Sequence, residues 1–263
     1  MNIHINEEEF NKLNEHTLVQ IMVGSHSYGL NNESSDKDVL NITYNLTDNL
    51  HSLIQLHHQY QYKSNNTDYL FCSLQTFVKN LLSGDSTINF EAIFSDEIKN
   101  HKDLCFLYNF RKNFYNYNLI RSYLGLCRRD LKAFKKEENN KKLFHALRGL
   151  FVANLLFNNE EYHNDLKSLD TNTGILLTKI KNNFITKAEA NLLSKDLADK
   201  VDELRLKLNQ RLNEKKIHKV MDIEKLKELD SWFIKLSTQN VKQGFFSNDQ
   251  YYTAIQEEIK YDN

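Results

Sequence analysis

The fold is decided by one stretch of the sequence, Val23-Gly24-Ser25-His26-Ser27-Tyr28-Gly29-Leu30 followed by Ser34-Ser35-Asp36-Lys37-Asp38-Val39. The residues just before Gly24, 18–23 (LVQIMV), form a short apolar run, which is typical of a buried strand. Residues 39–44 (VLNITY) alternate and are rich in β-branched side chains, so they predict a second strand. Residues 68–72 (DYLFC) predict a third strand, after a polar connection rich in His and Asn. Ser73 and Gly84 are then expected to cap a helix over residues 74–82. One predicted strand therefore leads into the stretch that decides the fold, and another follows it.

Gly24 and Ser25 have the chemistry of a phosphate-binding turn. Glycine lets the chain turn sharply and leaves room for a phosphate group. We expect Ser25 to present its hydroxyl and amide at a helix N-terminus, where free N–H groups and the helix dipole favour an anion. The alternative is an ordinary turn that ends a strand.

Asp36 and Asp38 suggest a metal site, because residues two apart on a strand face the same side. Their carboxylates would repel each other without a cation between them. Mg²⁺, with Mn²⁺ as an alternative ion, prefers such oxygen ligands together with substrate phosphates. Asp68, at the start of the next strand, is the candidate third ligand of a two-metal site for displacement at phosphorus. The alternatives are a solvated acidic turn at Asp36 and Asp38 and an ordinary turn residue at Asp68.

The composition excludes several classes of protein. The chain has 263 residues, 40% of them hydrophobic, and a net charge of −1, so it can bury a core but has no overall basic field to attract nucleic acid. No apolar stretch approaches the roughly 20 residues that span a bilayer, and the N-terminus lacks a signal peptide's apolar centre. We expect no membrane partner and a cytoplasmic location, which is the host cytoplasm if the gene belongs to a phage. The three cysteines are scattered along the chain, which argues against a disulfide framework or a cysteine-rich zinc site.

The pattern changes near residue 97. The chain has no proline and only seven glycines, which favours long helices, and the apolar residues beyond 97 recur at helical spacing. Residues 188–214 predict one long helix with Leu192, Leu197 and Val201 facing inward. The sequence therefore predicts an α+β protein, with a strand-rich domain at 1–97 and an α-helical bundle at 98–263.

Together these motifs resemble the DNA polymerase β-like nucleotidyltransferase superfamily, and in particular its branch of bacterial and phage predicted nucleotidyltransferases. The resemblance rests on Gly24-Ser25, the Ser35-Asp36-Lys37-Asp38 run, Asp68, the segment 88–94 around Glu91, and His145-Ala146-Leu147-Arg148. The chain departs from the family pattern at Lys37, where a hydrophobic residue is usual, and at Ser86-Thr87, where Asn-Pro is usual.

The resemblance implies a small mixed β-sheet and a metal-dependent enzyme that transfers a nucleoside monophosphate from a nucleoside triphosphate, such as ATP, to an acceptor hydroxyl, releasing pyrophosphate. Asp36, Asp38 and Asp68 would be the catalytic residues and metal ligands. The helical domain would help to bind the substrate in the cleft between the two domains. The residues expected to bind the nucleotide are Gly24, Ser25, His26, Tyr28, Glu91, His145 and Arg148.

Several alternatives stay open. Glu91 could be a salt-bridge partner between helices, and His145 with Arg148 could be a buried pair that ties the domains together. The basic run at residues 128–142 could be a solvated helix face or a surface for an RNA backbone. The acceptor could be a small molecule, a protein or RNA. The rival functions are an RNA (tRNA) end-modifying enzyme and a non-catalytic module that senses nucleotides or binds a protein; the oligomeric state is not predicted.

Overall fold

A computed structural model describes residues 2–29, 35–44, 59–165 and 172–239. It has the α+β architecture that the sequence predicts: a mixed sheet with an early helix, followed by helices. The strands are β1 (Asn2–His4), β2 (Thr17–Val23), β3 (Lys37–Thr43), β4 (Gln59–Ser64) and β5 (Thr67–Ser73). The helices are α1 (Glu7–Glu15), α2 (Leu74–Ser83), α3 (Thr87–Ala92), α4 (Asp96–Lys99), α5 (Cys105–Phe110), a 3-10 turn (Arg111–Phe114), α6 (Tyr117–Glu137), α7 (Asn140–Phe157), α8 (Asn172–Lys181), α9 (Lys187–Asn213) and α10 (Ile223–Gln239).

The sheet has five strands in the order β1-β4-β5-β3-β2. β3 and β5 are parallel neighbours at its centre, whereas β2 runs antiparallel to β3 and β4 antiparallel to β5. Both parallel strands therefore begin at one edge of the sheet, and β2 and β4 end there. This edge collects the polar residues of four strands.

The three predicted strands are confirmed as β2, β3 and β5, each within two residues at either end. The sequence interpretation missed β4, which lies in the connection predicted only as polar; residues 45–58 of that connection lie outside the described part. Its sequence QYQYKS is polar and its side chains are mostly half-buried, so it lacks the apolar signal of the inner strands.

Helix α2 begins and ends as its sequence predicts. Ser73 caps it by accepting a hydrogen bond from the Thr76 amide, and Gly84 ends it in the left-handed conformation. The long predicted helix is confirmed as α9, but the expectation for Leu192 is wrong. Its side chain is 72% exposed, while Leu197 and Val201 are buried, because Leu192 falls on the outer face of the helix.

One hydrophobic core joins the sheet to the helices. It contains Ile21 and Leu40 of the sheet, Phe77 of α2, and Leu150 and Leu204 of the later helices. Helices α6 and α7 form an antiparallel pair, and α9 packs against both. The division at residue 97 stays a prediction. Among the described residues, no helix is both long and apolar enough to cross a membrane.

Candidate active site

The turn at residues 24–29 lies directly against Asp38. Gly24 has φ +67°, in the left-handed region that favours glycine. A Cβ atom built on Gly24 would lie 2.3 Å from Oδ2 of Asp38. Two features therefore require glycine at this position: the left-handed backbone conformation and the lack of space for a side chain beside the Asp38 carboxylate. The expected helix at Ser25 is wrong, because residues 24–29 form consecutive turns.

Three hydrogen bonds hold this turn in shape. The Ser27 hydroxyl donates to the Gly24 carbonyl at 2.9 Å, and the Gly29 amide donates to the His26 carbonyl at 3.2 Å. The Tyr28 hydroxyl donates to Glu91 at 2.5 Å. Nε2 of His26 is buried, and no described residue forms a hydrogen bond with it. The turn is therefore anchored through Tyr28 and carries a buried polar atom in need of a partner.

A polar row crosses the sheet edge beside this turn. Val23 of β2 pairs with Asp38 of β3, Asp38 pairs with Asp68 of β5, and Asp68 pairs with Lys63 of β4. Neighbouring strands are about 4.8 Å apart and paired residues share a face, so the carboxylates of Asp38 and Asp68 are neighbours. Asp36 is exposed and precedes β3.

The two paired carboxylates repel each other. Burial raises the pKa of Asp38 above its ordinary value, and the carboxylates of Asp68 and Asp36 raise it further. Lys141 and His26 act in the opposite direction. Asp38 is therefore harder to ionise than an isolated carboxyl, as expected where a cation is needed to complete the site.

Lys63 donates a hydrogen bond to only one of the two carboxylate oxygens of Asp68. Its ammonium donates to Oδ2 of Asp68 at 3.3 Å and lies 3.2 Å from Oδ1 without the geometry of a hydrogen bond. Oδ1 is buried and has no hydrogen-bond partner among the described residues. The sequence interpretation missed Lys63, since it lies in the unrecognised strand β4.

This arrangement fits a divalent cation at Asp38 and Asp68. The described residues contain no group of three or more His, Cys, Asp or Glu side chains arranged to hold a metal. Mg²⁺, however, usually binds through one or two carboxylates and takes its other ligands from water and substrate phosphates. The pair of carboxylates, with the Oδ1 of Asp68 that accepts no hydrogen bond from the described residues, meets that requirement. Asp36 as a metal ligand stays a prediction.

A second charged cluster lies deeper, behind Tyr28. Glu91 is 4% exposed and accepts hydrogen bonds from the hydroxyls of Tyr28 and Tyr123 and, at 2.7 Å, from Nη1 of Arg148. The guanidinium of Arg148 also lies 4.1 Å from the centre of the Tyr28 ring. Burial, and after it the Glu91 carboxylate, raises the pKa of Tyr123 well above its usual range, so its hydroxyl stays a donor. This cluster fastens the turn to helices α3, α6 and α7.

One family of proteins matches the chain over nearly its whole length. The model of the RNA repair pathway DNA polymerase beta family, RlaP, matches residues 2–235. The chain belongs to the RlaP family. A function of nucleotidyltransferase type follows from that membership, in agreement with the resemblance of the motifs.

Among solved structures, this RlaP-family chain is similar to a nucleotidyltransferase-like protein from Exiguobacterium sibiricum. The two chains are 12% identical, the match covers 88% of this chain and 85% of the other, and the TM-score is 0.35. No curated protein matches the chain.

In this RlaP-family chain, six of the seven residues expected to bind nucleotide fall into two groups. Gly24, Ser25 and His26 lie on the turn beside Asp38. Tyr28, Glu91 and Arg148 are buried and bind one another, which matches the alternative that Glu91 is a salt-bridge partner between helices. Direct nucleotide contact by these three stays a prediction.

His145 lies between the buried cluster and a set of lysines. Burial, followed by the charges of Arg148, Lys141, Lys142 and Lys181, lowers its pKa to about 4. The imidazole is therefore neutral near pH 7 and can either donate or accept a hydrogen bond.

Proposed function

We propose that the protein transfers a nucleoside monophosphate from a nucleoside triphosphate to an acceptor hydroxyl at the sheet edge beside Gly24. The observation that supports this most is the pairing of Asp38 with Asp68 on adjacent parallel strands, against a turn whose glycine leaves space only for the Asp38 carboxylate. Family membership supports the same class of reaction.

In this proposal the reaction is a displacement at the α-phosphorus. The acceptor oxygen forms a bond to that phosphorus, the bond to the bridging oxygen of the leaving pyrophosphate breaks, and the acceptor's proton passes to Asp68. Asp38 and Asp68 would hold Mg²⁺, which when bound neutralises negative charge on the phosphates. Ser25 and the amides of the turn would bind the β- or γ-phosphate.

Lys63 would hold the Asp68 side chain in place before substrate arrives. Its ammonium is largely exposed, with 65% of the side chain accessible, so it can swing away at little expense. A cation bound at the buried Oδ1 would then take over the neutralisation of Asp68.

We further propose that the acceptor is the hydroxyl at an RNA end. The family description places its members in an RNA repair pathway. The exposed lysines of α6, Lys132, Lys135 and Lys136, have no carboxylate within salt-bridge distance among the described residues and offer charge for an RNA backbone.

The reaction is tested by following labelled nucleotide. Each α-labelled nucleoside triphosphate is incubated with Mg²⁺ or Mn²⁺ and with RNA bearing a 3′-hydroxyl, RNA blocked at that end, small hydroxyl compounds or the protein alone. We expect label on RNA with a free 3′-hydroxyl. Label only on the protein or on small compounds would overturn the choice of RNA, and nucleotide binding without any product would favour the non-catalytic module.

Two isosteric variants test the assignment of residues. Asp38→Asn and Asp68→Asn should each lower kcat by at least about 100-fold, because even outer partners of metal ligands contribute 10- to 100-fold. Asp196→Asn, which makes the same change on an exposed face of α9, is the matched control and should keep wild-type transfer. Wild-type rates in both site variants would remove the metal assignment.

Asp68 as base makes a narrower prediction. An interaction made only in the transition state lowers kcat and kcat/KM together, so Asp68→Asn should leave KM for the triphosphate nearly unchanged. A normal kcat with a raised KM would mean that Asp68 binds substrate and does not accept the proton.

A further inference from the structure

The basic run of residues 128–142 is not one surface. Arg128 forms an ion pair with Asp202 on α9, and Arg129 lies beside Asp130. Both belong to α6, whereas Lys141 and Lys142 open the next helix, α7. Lys141 acts electrostatically on Asp38. The turn between the two helices therefore directs the end of the run to the active site.

Four basic groups converge where α7 begins. Lys141 and Lys142 share one side of the helix with His145, at spacings of four and three residues. Lys181, in the last turn of α8, has its Nζ 5.8 Å from the centre of the Phe144 ring, and that ring contacts His145. The Asn140 amide donates to Asn183 at 3.1 Å and ties the start of α7 to the residues after α8.

No carboxylate of the described residues forms an ion pair with these three lysines, because none lies within salt-bridge distance of Lys141, Lys142 or Lys181. Burial and the charge of Lys141 lower the pKa of Lys181. The same lysines help to keep His145 neutral. The fold thus holds like charges together at a free-energy cost, as anion-binding sites do.

We infer that Lys141, Lys142 and Lys181 form a phosphate-binding site together with His145 at the start of α7. Lysine ammonium groups are compact charges that bind phosphate oxygens, and the imidazole adds a neutral hydrogen bond. The ligand is the polyphosphate of a nucleotide or the phosphate at an RNA end. The inference deepens the proposed function and rests on it for the choice of ligand, but not for the site.

The site is tested without catalysis. Calorimetric titration with inorganic tripolyphosphate in EDTA compares the wild type with the double variant Lys141→Ala/Lys181→Ala. The matched control is Lys195→Ala/Lys200→Ala, which removes two exposed lysines of α9 that lie outside the proposed RNA surface. We expect Kd to rise at least about 10-fold in the site variant, the loss of one charge-assisted hydrogen bond or more, and less than about 2-fold in the control. Equal effects of both variants, or no binding by the wild type, would overturn the site.

The pKa of His145 provides a second test, because nonspecific attraction of the anion to the protein surface would leave this pKa unchanged. Tripolyphosphate bound among the lysines should raise the pKa of His145, measured by NMR, in the wild type and in the control variant. An unchanged His145 pKa on saturation would place the anion elsewhere. Removing like charges should leave the melting temperature at or above the wild-type value, so unfolding does not confuse the result.

Two further titrations identify the source of the phosphate. ATP in EDTA is compared with short RNAs that carry or lack a terminal phosphate, again with both double variants. A site-variant effect confined to ATP identifies the polyphosphate, and one confined to phosphorylated RNA identifies the RNA end. Tripolyphosphate binding by a protein that transfers no nucleotide would keep the site and refute the proposed reaction; the reverse result would refute only the site.

Discussion

The two carboxylate clusters of this protein lie on either side of Tyr28 and are built in opposite ways. Glu91 is buried and fully partnered, by Arg148 and by the hydroxyls of Tyr28 and Tyr123. Asp68 is partly exposed, pairs with a largely exposed lysine, and keeps one buried oxygen without a hydrogen bond. Nε of Arg148 is buried without a hydrogen-bond partner among the described residues, but both oxygens of Glu91 accept hydrogen bonds. The Glu91 carboxylate is therefore satisfied by the protein alone, whereas the Asp68 carboxylate is not.

This difference predicts which charges hold the fold together and which act in the proposed reaction. A buried ion pair is destabilised severely when one partner is removed, because the other charge is left without solvent or counter-charge. An exposed pair contributes little to stability. We therefore expect the cluster around Glu91 to determine folding stability and the cluster of Asp38 and Asp68 to determine the chemical reaction.

The largest expected effect contrasts Glu91→Ala with Asp68→Ala. Removing Glu91 leaves Arg148 buried without its counter-charge and should lower the free energy of unfolding by about 3–5 kcal/mol. Removing Asp68 should change it by less than about 1 kcal/mol. Urea unfolding measures both. If Glu91→Ala does not fold, Glu91→Gln keeps the hydrogen-bond acceptor and should still be less stable than Asp68→Ala; similar losses would contradict the comparison.

The second prediction concerns His145, which adjoins the buried cluster. Its pKa of about 4 in the folded protein lies below the value of about 6.5 in an unfolded chain. The unfolded chain therefore binds the proton first, and stability should fall as pH decreases from 6.5 to 4, by at most about 3 kcal/mol. His145→Gln should not show this component. Parallel pH profiles for the two proteins would contradict it.

The third prediction concerns Gly24, which contacts Asp38 in the cluster that contains Asp68. In Gly24→Ala, the left-handed φ and the contact with Asp38 should together lower the free energy of unfolding by about 2 kcal/mol. Adding Asp38→Ala removes the contact and should recover part of that loss, so a double-mutant cycle measures the coupling. Gly125→Ala, in open space on α6, is the control and should stabilise by about 0.5–1 kcal/mol. If the stability changes of Gly24→Ala and Asp38→Ala are strictly additive, the side chain at position 24 does not contact Asp38.

The smallest effect is expected for Asp38→Asn. Because burial and the neighbouring carboxylates raise the pKa of Asp38, its ionisation destabilises the folded protein as pH rises through that value. At pH 7 the variant should be more stable than the wild type by less than about 1 kcal/mol, since solvent screens a half-exposed group. The gain should vanish below about pH 4, where the carboxyl is protonated in both states. A destabilised variant at pH 7 would mean that Asp38 is already compensated.

Local patterns predicted much of the fold. The apolar runs that became β2, β3 and β5, and the Ser73 and Gly84 signals that bound α2, depend only on neighbouring residues, so they can be read from the chain directly. Strand β4 could not be read in this way, because its polar side chains become ordered through pairing with β5. Leu192 was placed on the wrong face because its neighbours in sequence, Leu193 and Leu197, are apolar as well.

The candidate site divides in the same way. Its chemical components, the Gly24 turn and the acids Asp36, Asp38 and Asp68, were evident in the sequence because residue type and spacing carry that information. Only the tertiary structure decided that Asp38 faces Asp68 in register, that Lys63 lies beyond them, and that Glu91 binds Arg148 across 57 positions. It also separated Lys141 from the other basic residues of its run, because one turn between two helices redirects the chain. Such pairings depend on strand register and helix packing between distant segments, and no local pattern specifies them.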